Sequence, residues 1–109
     1  MAQIASDFPN VPVVMTNAGN INISGLSLAD AWLALSLVPN LHVTTNGEYR
    51  QDFIERLANE LEPGRVMFAS MAPVFDRAFE LKRVRSARMS ADARLAMEGG
   101  TAARLFGLG

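Results

Sequence analysis

The chain contains no cysteine, and it has no long apolar run. Without thiols it has no disulfide framework, no thiolate nucleophile and no cysteine-based zinc site. Its richest apolar stretch, residues 31–38, is far shorter than the roughly 18 residues that a membrane-spanning helix needs. The opening residues also lack the basic cluster and apolar stretch of a secretory signal. We therefore expect a soluble, cytoplasmic protein with no membrane partner.

Strong charge of either sign is missing as well, because the formal net charge is −1. Seven of the ten basic residues follow residue 76, yet no aromatic side chains interleave with the arginines to stack bases. Nucleic acid is thus not the expected partner, and a solvated helix face or a subunit contact explains these residues better. Half of the residues are hydrophobic and 19% are charged, which indicates one globular domain over residues 1–109, with 1–10 as a lead-in.

Three short apolar segments have the length and the flanking turn residues of buried strands. They cover residues 11–16, 41–45 and 65–70. Helical periodicity between and after them predicts helices from Ser27 to about residue 38, over 48–61, and from Pro73 onward. Ser90 and Thr101 are expected to start short C-terminal helices. This order predicts an α/β fold of three βα units with a parallel sheet and right-handed crossovers.

The order of these motifs resembles the C-terminal part of the metal-dependent amidohydrolase family, which includes related decarboxylases. The matching segments are Thr-Asn-Ala-Gly at 16–19, Pro-Asn-Leu-His-Val-Thr-Thr-Asn-Gly at 39–47, Arg-Val-Met-Phe-Ala-Ser-Met-Ala-Pro at 65–73 and Gly-Gly-Thr-Ala-Ala-Arg-Leu-Phe-Gly-Leu at 99–108. The last segment is the most specific, although Thr101 replaces the usual asparagine. The resemblance implies a partial TIM barrel, namely the last three βα units of eight.

Two departures from the family pattern concern its chemistry. The resemblance places a histidine that serves as metal ligand or general base at the position of Asn17. It places an aspartate that binds the metal, or handles the proton of its water, at the position of Met71. A neutral amide and a thioether are poor substitutes at a hard, oxygen-rich metal site. The family's other histidine ligands belong to segments that this sequence does not contain.

The remaining titratable residues do not suggest a catalytic set. A catalytic zinc needs about three protein ligands, whereas His42 is the single histidine and falls inside a predicted strand. Such a histidine is more often packed and hydrogen-bonded than a ligand. Four carboxylates follow helical spacing and are expected on a solvated face: Glu48, Asp52, Glu55 and Glu60. We therefore predict no catalytic residue and no metal ligand in this chain alone.

Four residues at the predicted carboxyl ends of the strands are candidates for a ligand pocket. They are Asn17, Asn46, Ser70 and Met71. Parallel α/β sheets and barrels place their ligands at this edge, so a small molecule could bind there without reacting. Trp32 has two interpretations, a core anchor and an anchor of a protein interface.

Three parallel strands leave two unpaired edges, and this favours an association. The leading hypothesis is a non-catalytic interaction subunit that assembles with copies of itself or with a barrel-completing protein partner. The alternative is a subunit of a metal-dependent hydrolase or decarboxylase, with zinc or manganese held by ligands from a partner chain. A gene fragment or engineered segment without a selected role is a third interpretation.

Overall fold

The computed structural model describes residues 2–17, 28–62 and 64–108, and its centre is a sheet of three parallel strands. The strands are β1 (Val13–Met15), β2 (Leu41–Thr44) and β3 (Val66–Met67), in the spatial order β1-β2-β3. Val13 pairs with Leu41, and Val43 pairs with Val66. The predicted α/β class and the parallel sheet are confirmed, although each strand is shorter than its apolar segment.

Six helices and one wide turn surround the described part of the sheet. The helices are α1 (Ala2–Asp7), α2 (Leu28–Leu37), α3 (Gln51–Glu60), α4 (Arg77–Ser86), α5 (Ala91–Leu95) and α6 (Thr101–Leu105). The turn Ala96–Gly100 joins α5 to α6 with an extended backbone at Gly99. The expected lead-in over residues 1–10 therefore contains a helix, and the short C-terminal helices are present.

The start of α4 differs from the prediction. Helical spacing indicated a helix from Pro73, but α4 begins at Arg77 because the Asp76 side chain accepts a hydrogen bond from the Phe79 N–H. An aspartate in this role satisfies a helix donor that would otherwise be unpaired. Val74, expected on the buried stripe of that helix, is consequently 68% exposed. The Ser90 cap is as expected, whereas the Ser27 cap lies outside the described residues.

The two faces of the sheet have different side chains. Side chains alternate between faces along a strand, and one face packs into the hydrophobic core beneath the helices through Val13, Met15, Leu41, Val43 and Val66. The opposite face, which lines the interior in a closed barrel, carries Val14, His42, Thr44 and Met67. The register thus aligns the carboxyl ends of all three strands at one edge.

Two polar side chains secure the ends of the strand-helix units. The buried Arg65 guanidinium donates to the carbonyls of Leu35, Val38 and Leu41 at 2.7–3.0 Å, where α2 ends and β2 begins. The Asn40 amide donates to three carbonyls in and after α1, those of Ala5, Phe8 and Val11. These bonds supply partners to carbonyls that a helix end leaves unpaired. Within the described ranges, no helix is long and apolar enough to cross a membrane.

Candidate functional site at the carboxyl edge of the sheet

A pocket of about 230 Å³ opens where the three strands end. Its lining comes from all three strands or the residues just after them: Thr16, Asn17, Thr44, Asn46, Ala69 and Met71. The parallel register produces this convergence, because it brings Asn17 and Asn46 to the same edge although 29 residues separate them. Three of the four predicted pocket residues therefore line one pocket.

Asn46 is the centre of the hydrogen bonds in this pocket. Its Oδ1 accepts from the Thr44 hydroxyl at 2.6 Å, and its Nδ2 donates to Asn17 Oδ1. The same Nδ2 lies 3.5 Å from Met71 Sδ, within reach of a weak bond to sulfur. Asn46 is buried, with 3% of its surface exposed. One amide thus links the two positions at which the family resemblance expects histidine and aspartate.

Two pocket residues have a left-handed backbone. Asn17 has φ of 55° and Met71 has φ of 56°. Asparagine tolerates this region, whereas a residue such as methionine is strained there. Strain of this kind persists where surrounding contacts fix the chain, and it clusters at functional sites. Both residues stand at the positions for which the family resemblance implies a histidine and an aspartate.

Two side chains of α4 form hydrogen bonds with the loop after β2, which carries Asn46. The Gly47 N–H donates to Glu80 Oε2 at 3.0 Å, and Arg83 Nη1 donates to the Glu48 carbonyl at 2.8 Å. Gly47 has φ of 73°, and a Cβ built on it would lie 3.3 Å from the Phe75 ring. A side chain at residue 47 is therefore disfavoured by both backbone and space.

Glu48 is buried, which corrects the expectation of a solvated helix face. Because α3 begins at Gln51, Glu48 lies in the preceding turn, and its Oε1 accepts from the Arg50 N–H at 2.7 Å. Its Oε2 has no hydrogen-bond partner among the described residues. Burial raises the pKa of the Glu48 carboxyl, since the charged form loses its hydration.

His42 and Ser70 lie apart from the pocket lining. His42 is buried on β2, and its Nδ1 lies 3.1 Å from the Asn40 carbonyl, as expected for a packed strand histidine. Burial lowers the pKa of His42 below its ordinary value, which favours the neutral ring. The Ser70 hydroxyl accepts from the Ala72 N–H at 3.3 Å instead of joining the pocket network. Its role as a ligand residue stays a prediction.

Trp32 packs partly against the core, and one face of its ring is covered. The Arg56 guanidinium carbon lies 3.9 Å from the ring centroid, within the range of a cation–π interaction. These contacts link α2 to α3 and agree with a core anchor. A role of Trp32 in a protein interface stays a prediction.

Three residues of this region were not among the predicted site residues. Thr16 and Thr44 were read only as strand residues, although alternation along β2 could have placed Thr44 beside the pocket. Glu80 falls within the helix that was predicted from Pro73 onward, and nothing in that pattern indicated that it is buried and accepts the Gly47 N–H. Its partner is 33 residues away along the chain, so only the fold brings the two together.

Parallel strands alternating with helices and a pocket at their carboxyl ends define a segment of a TIM barrel, and solved structures agree. An uncharacterised TIM-barrel protein from Bordetella bronchiseptica matches 97% of this chain with a TM-score of 0.78 and 21% identity. The 2,6-dihydroxybenzoate decarboxylase from Rhizobium matches 99% of it with a TM-score of 0.73 and 18% identity. The chain spans 37% and 38% of these two proteins, less than half of each.

The chain belongs to the amidohydrolase family, because the sequence model of that family matches residues 1–108. An amidohydrolase from Burkholderia multivorans with bound Zn also matches 97% of this chain and 47% of its own length, with a TM-score of 0.70 and 21% identity. A search of curated proteins found no match.

The side chains at the pocket do not fit a zinc or manganese ion. The pocket offers amides, hydroxyls and a thioether, whereas such ions take imidazole, carboxylate or thiolate ligands. An N–H of Asn46 already points at both Asn17 Oδ1 and Met71 Sδ, the atoms nearest to a ligand role. Within 2–17, 28–62 and 64–108, no group of three or more His, Cys, Asp or Glu side chains could hold a metal.

Proposed function

We propose that this chain is a non-catalytic interaction subunit that assembles with a barrel-completing protein partner. The observation that carries the proposal is a parallel sheet of three strands in the fold of an eight-stranded barrel. A sheet edge presents unpaired N–H and C=O groups, and another strand can pair with them. The partner therefore meets the protein along the edges of this sheet.

The side of β1 away from β2, where no strand pairs within the described residues, is the first surface of the proposed assembly. Val13 donates its N–H to the Asn40 carbonyl, toward β2, so the alternating backbone turns the Val14 N–H the other way. The segment that leads into β1 carries exposed apolar side chains, with Ile4 60%, Phe8 59% and Val11 51% exposed. At β3 the corresponding edge is partly used, because the Phe68 N–H donates to the Met97 carbonyl at 2.7 Å.

Strand counting favours a partner with five βα units over copies of this chain. Three units of eight make about 37% of a barrel, which agrees with the 37% and 38% of the two structures that the chain spans. Copies of the chain would contribute six or nine strands in total. In the proposed assembly, the partner would supply the remaining five strands of a closed eight-stranded barrel.

The pocket supports the non-catalytic part of the proposal. General acid–base catalysis needs a group that gains and loses a proton near the operating pH. The residues that line the pocket are Thr, Asn, Ala and Met, and none of these side chains titrates in that range. A partner would thus complete a barrel whose carboxyl edge on this side is neutral.

Family membership favours one alternative, a subunit of a metal-dependent hydrolase or decarboxylase. In that case the partner would bring the histidine ligands, and Asn17, Asn46 and Met71 would shape the substrate pocket. Elemental analysis of the purified complex separates the two functions. The interaction subunit is expected to copurify without stoichiometric zinc or manganese, and one equivalent of either metal would favour the enzyme.

The proposed interface can be mapped with single cysteines, because the chain has none of its own. Val11→Cys places a thiol beside the edge of β1, and Glu60→Cys places one on the exposed side of α3 as the matched control. We expect maleimide to label both thiols in the isolated chain but only the control in the native complex. A maleimide with a photo-reactive group, attached to Val11→Cys before the complex assembles, should on irradiation link this position to a protein of five βα units.

Two outcomes would contradict this function. The first is equal labelling of Val11→Cys in the isolated chain and in the material purified from the native host. The second is a cross-linked product that consists of copies of this chain alone. Cross-links at Glu60→Cys with the same yield would show that the reagent reports random collisions instead of an interface.

A further inference from the structure

We propose that the pocket formed by Thr16, Asn17, Thr44, Asn46, Ala69 and Met71 binds an uncharged aromatic ligand that carries a hydrogen-bond acceptor, such as an aromatic amide. This inference deepens the proposed non-catalytic function, since it names the ligand class of the same neutral edge. The volume of about 230 Å³ suits a small aromatic molecule rather than a macromolecule. Three features of the pocket favour this ligand class: its available hydrogen-bond donors, its lack of charge and its apolar rim.

Hydrogen bonds inside the pocket leave donors for a ligand. Asn46 directs its Nδ2 to Asn17 Oδ1 and Met71 Sδ, and its Oδ1 accepts from the Thr44 hydroxyl. The bond to its oxygen orients the Asn17 amide, and among the residues that the structure describes its Nδ2 group is left to donate. The Thr16 hydroxyl adds a second donor at the exposed mouth. These groups match a neutral carbonyl oxygen, which needs one or two donors.

The charge of the pocket selects against anions. No lysine, arginine or histidine lines it, so a bound carboxylate would lose water without gaining a cation. The Glu80 carboxylate behind the pocket is already engaged, because it accepts the Gly47 N–H and lies 3.7 Å from Arg83. A primary amide has nearly the shape of a carboxylate and lacks the charge. The pocket should therefore distinguish two ligands that differ little in size.

The rim of the pocket offers an apolar contact for an aromatic ring. Met71 is 49% exposed and lines the pocket, and Phe75 is 38% exposed beside Gly47. A thioether packs favourably against aromatic rings, and a phenyl ring adds an offset or edge contact. Met71 has a left-handed backbone, with φ of 56°. This rim explains an exposed methionine at a position where the family pattern has a charged residue.

Paired titrations with benzamide and benzoate test the ligand class. In two-dimensional amide NMR spectra of the full chain, benzamide should shift the side-chain signals of Asn17 and Asn46. We expect benzamide to bind at least tenfold more tightly than benzoate. Asn17→Leu removes the proposed donor and should weaken benzamide at least tenfold. The matched control Asn59→Leu, on the exposed face of α3, should leave its affinity unchanged.

A charge substitution provides the reciprocal test. Met71→Lys adds a cation at the half-exposed rim, and we expect it to reverse the preference so that benzoate binds more tightly than benzamide. Three results would overturn the inference: equal or tighter binding of benzoate to the original chain, no binding of benzamide at millimolar concentration, or no effect of Asn17→Leu. Assembly is measured separately by labelling at Val11→Cys, so failure of the ligand class and failure of the proposed function are distinguishable.

Discussion

At the scale of single residues, burial determines which polar side chains affect the stability of the protein. The carboxylates of α3 and its preceding turn looked alike in the sequence, yet Asp52 and Glu60 are exposed while Glu48 is fully buried. Sequence spacing could not separate them, because the start of α3 at Gln51 depends on the tertiary fold. By contrast, Asn17, Asn46 and Met71 were predictable as pocket residues, since each follows a recognisable strand.

The raised pKa of Glu48 predicts an unusual pH dependence. The folded state holds this proton more tightly than the unfolded state does, whose pKa is near 4.5. The contribution of Glu48 to the free energy of unfolding therefore falls as the pH rises from about 4.5 through the folded pKa. Relative to the original chain, Glu48→Gln should therefore become progressively more stable as the pH rises from 4.5 to 7.5. Urea unfolding of both proteins measures the difference.

The difference between the free energies of unfolding of the two proteins reports on Glu48 alone. Asp52, whose pKa is lowered by Arg50, is present in both and cancels. A difference that is constant with pH, or that changes in the opposite direction, would contradict a charged Glu48 in a buried turn.

Met71 offers a second test at this scale. Its backbone has φ of 56°, a region that glycine enters freely and that costs other residues about 1 kcal/mol. Because the side chain is half-exposed, Met71→Gly should raise the free energy of unfolding by about 0.5–1 kcal/mol. The same substitution at Met67, which is buried in β3, should lower it. Destabilisation by Met71→Gly would show that the side chain, not the backbone, governs this position.

At the scale of helices and strands, the apolar periodicity predicted the order of elements well and their ends less well. α3 follows its predicted stripe, with Phe53, Ile54 and Leu57 buried. The start of α4 was displaced because a capping aspartate overrode the preference of proline for a first turn. α1 was missed, since its helix is held by bonds from Asn40, 32 to 35 residues later in the chain.

Arg65 is the residue on which the junction of α2 and β2 depends most. Its guanidinium satisfies the carbonyls of Leu35, Val38 and Leu41, and a planar fork with several donors suits this task. Arg65→Met should reduce the free energy of unfolding by about 3 kcal/mol, because buried carbonyls lose charged donors. Arg65→Lys should restore only part of the loss. Chemical denaturation followed by far-ultraviolet circular dichroism measures these differences.

A matched substitution is available on α6. The exposed Arg104 donates one hydrogen bond to the Gly64 carbonyl, so Arg104→Met should change the free energy of unfolding by less than about 0.5 kcal/mol. Equal losses at Arg65 and Arg104 would contradict the importance of the buried junction.

At the scale of the whole molecule, the central feature is a three-stranded segment of a barrel fold. Motif order predicted this segment and the amidohydrolase family from the sequence, and both are confirmed. The pocket geometry was not predictable in the same way, since the network around Asn46 joins residues from three strands. Exposed apolar side chains near the sheet, such as Phe8 and Val11, were likewise invisible in the sequence.

The mass in solution of the chain purified from its native host tests the central claim most directly. A three-stranded sheet with an open edge at β1 predicts a complex, so light scattering should give a mass well above 11.8 kDa and native mass spectrometry should release a second, larger polypeptide. A monodisperse particle of 11.8 kDa at low micromolar concentration, unfolding cooperatively and without any partner, would contradict the claim.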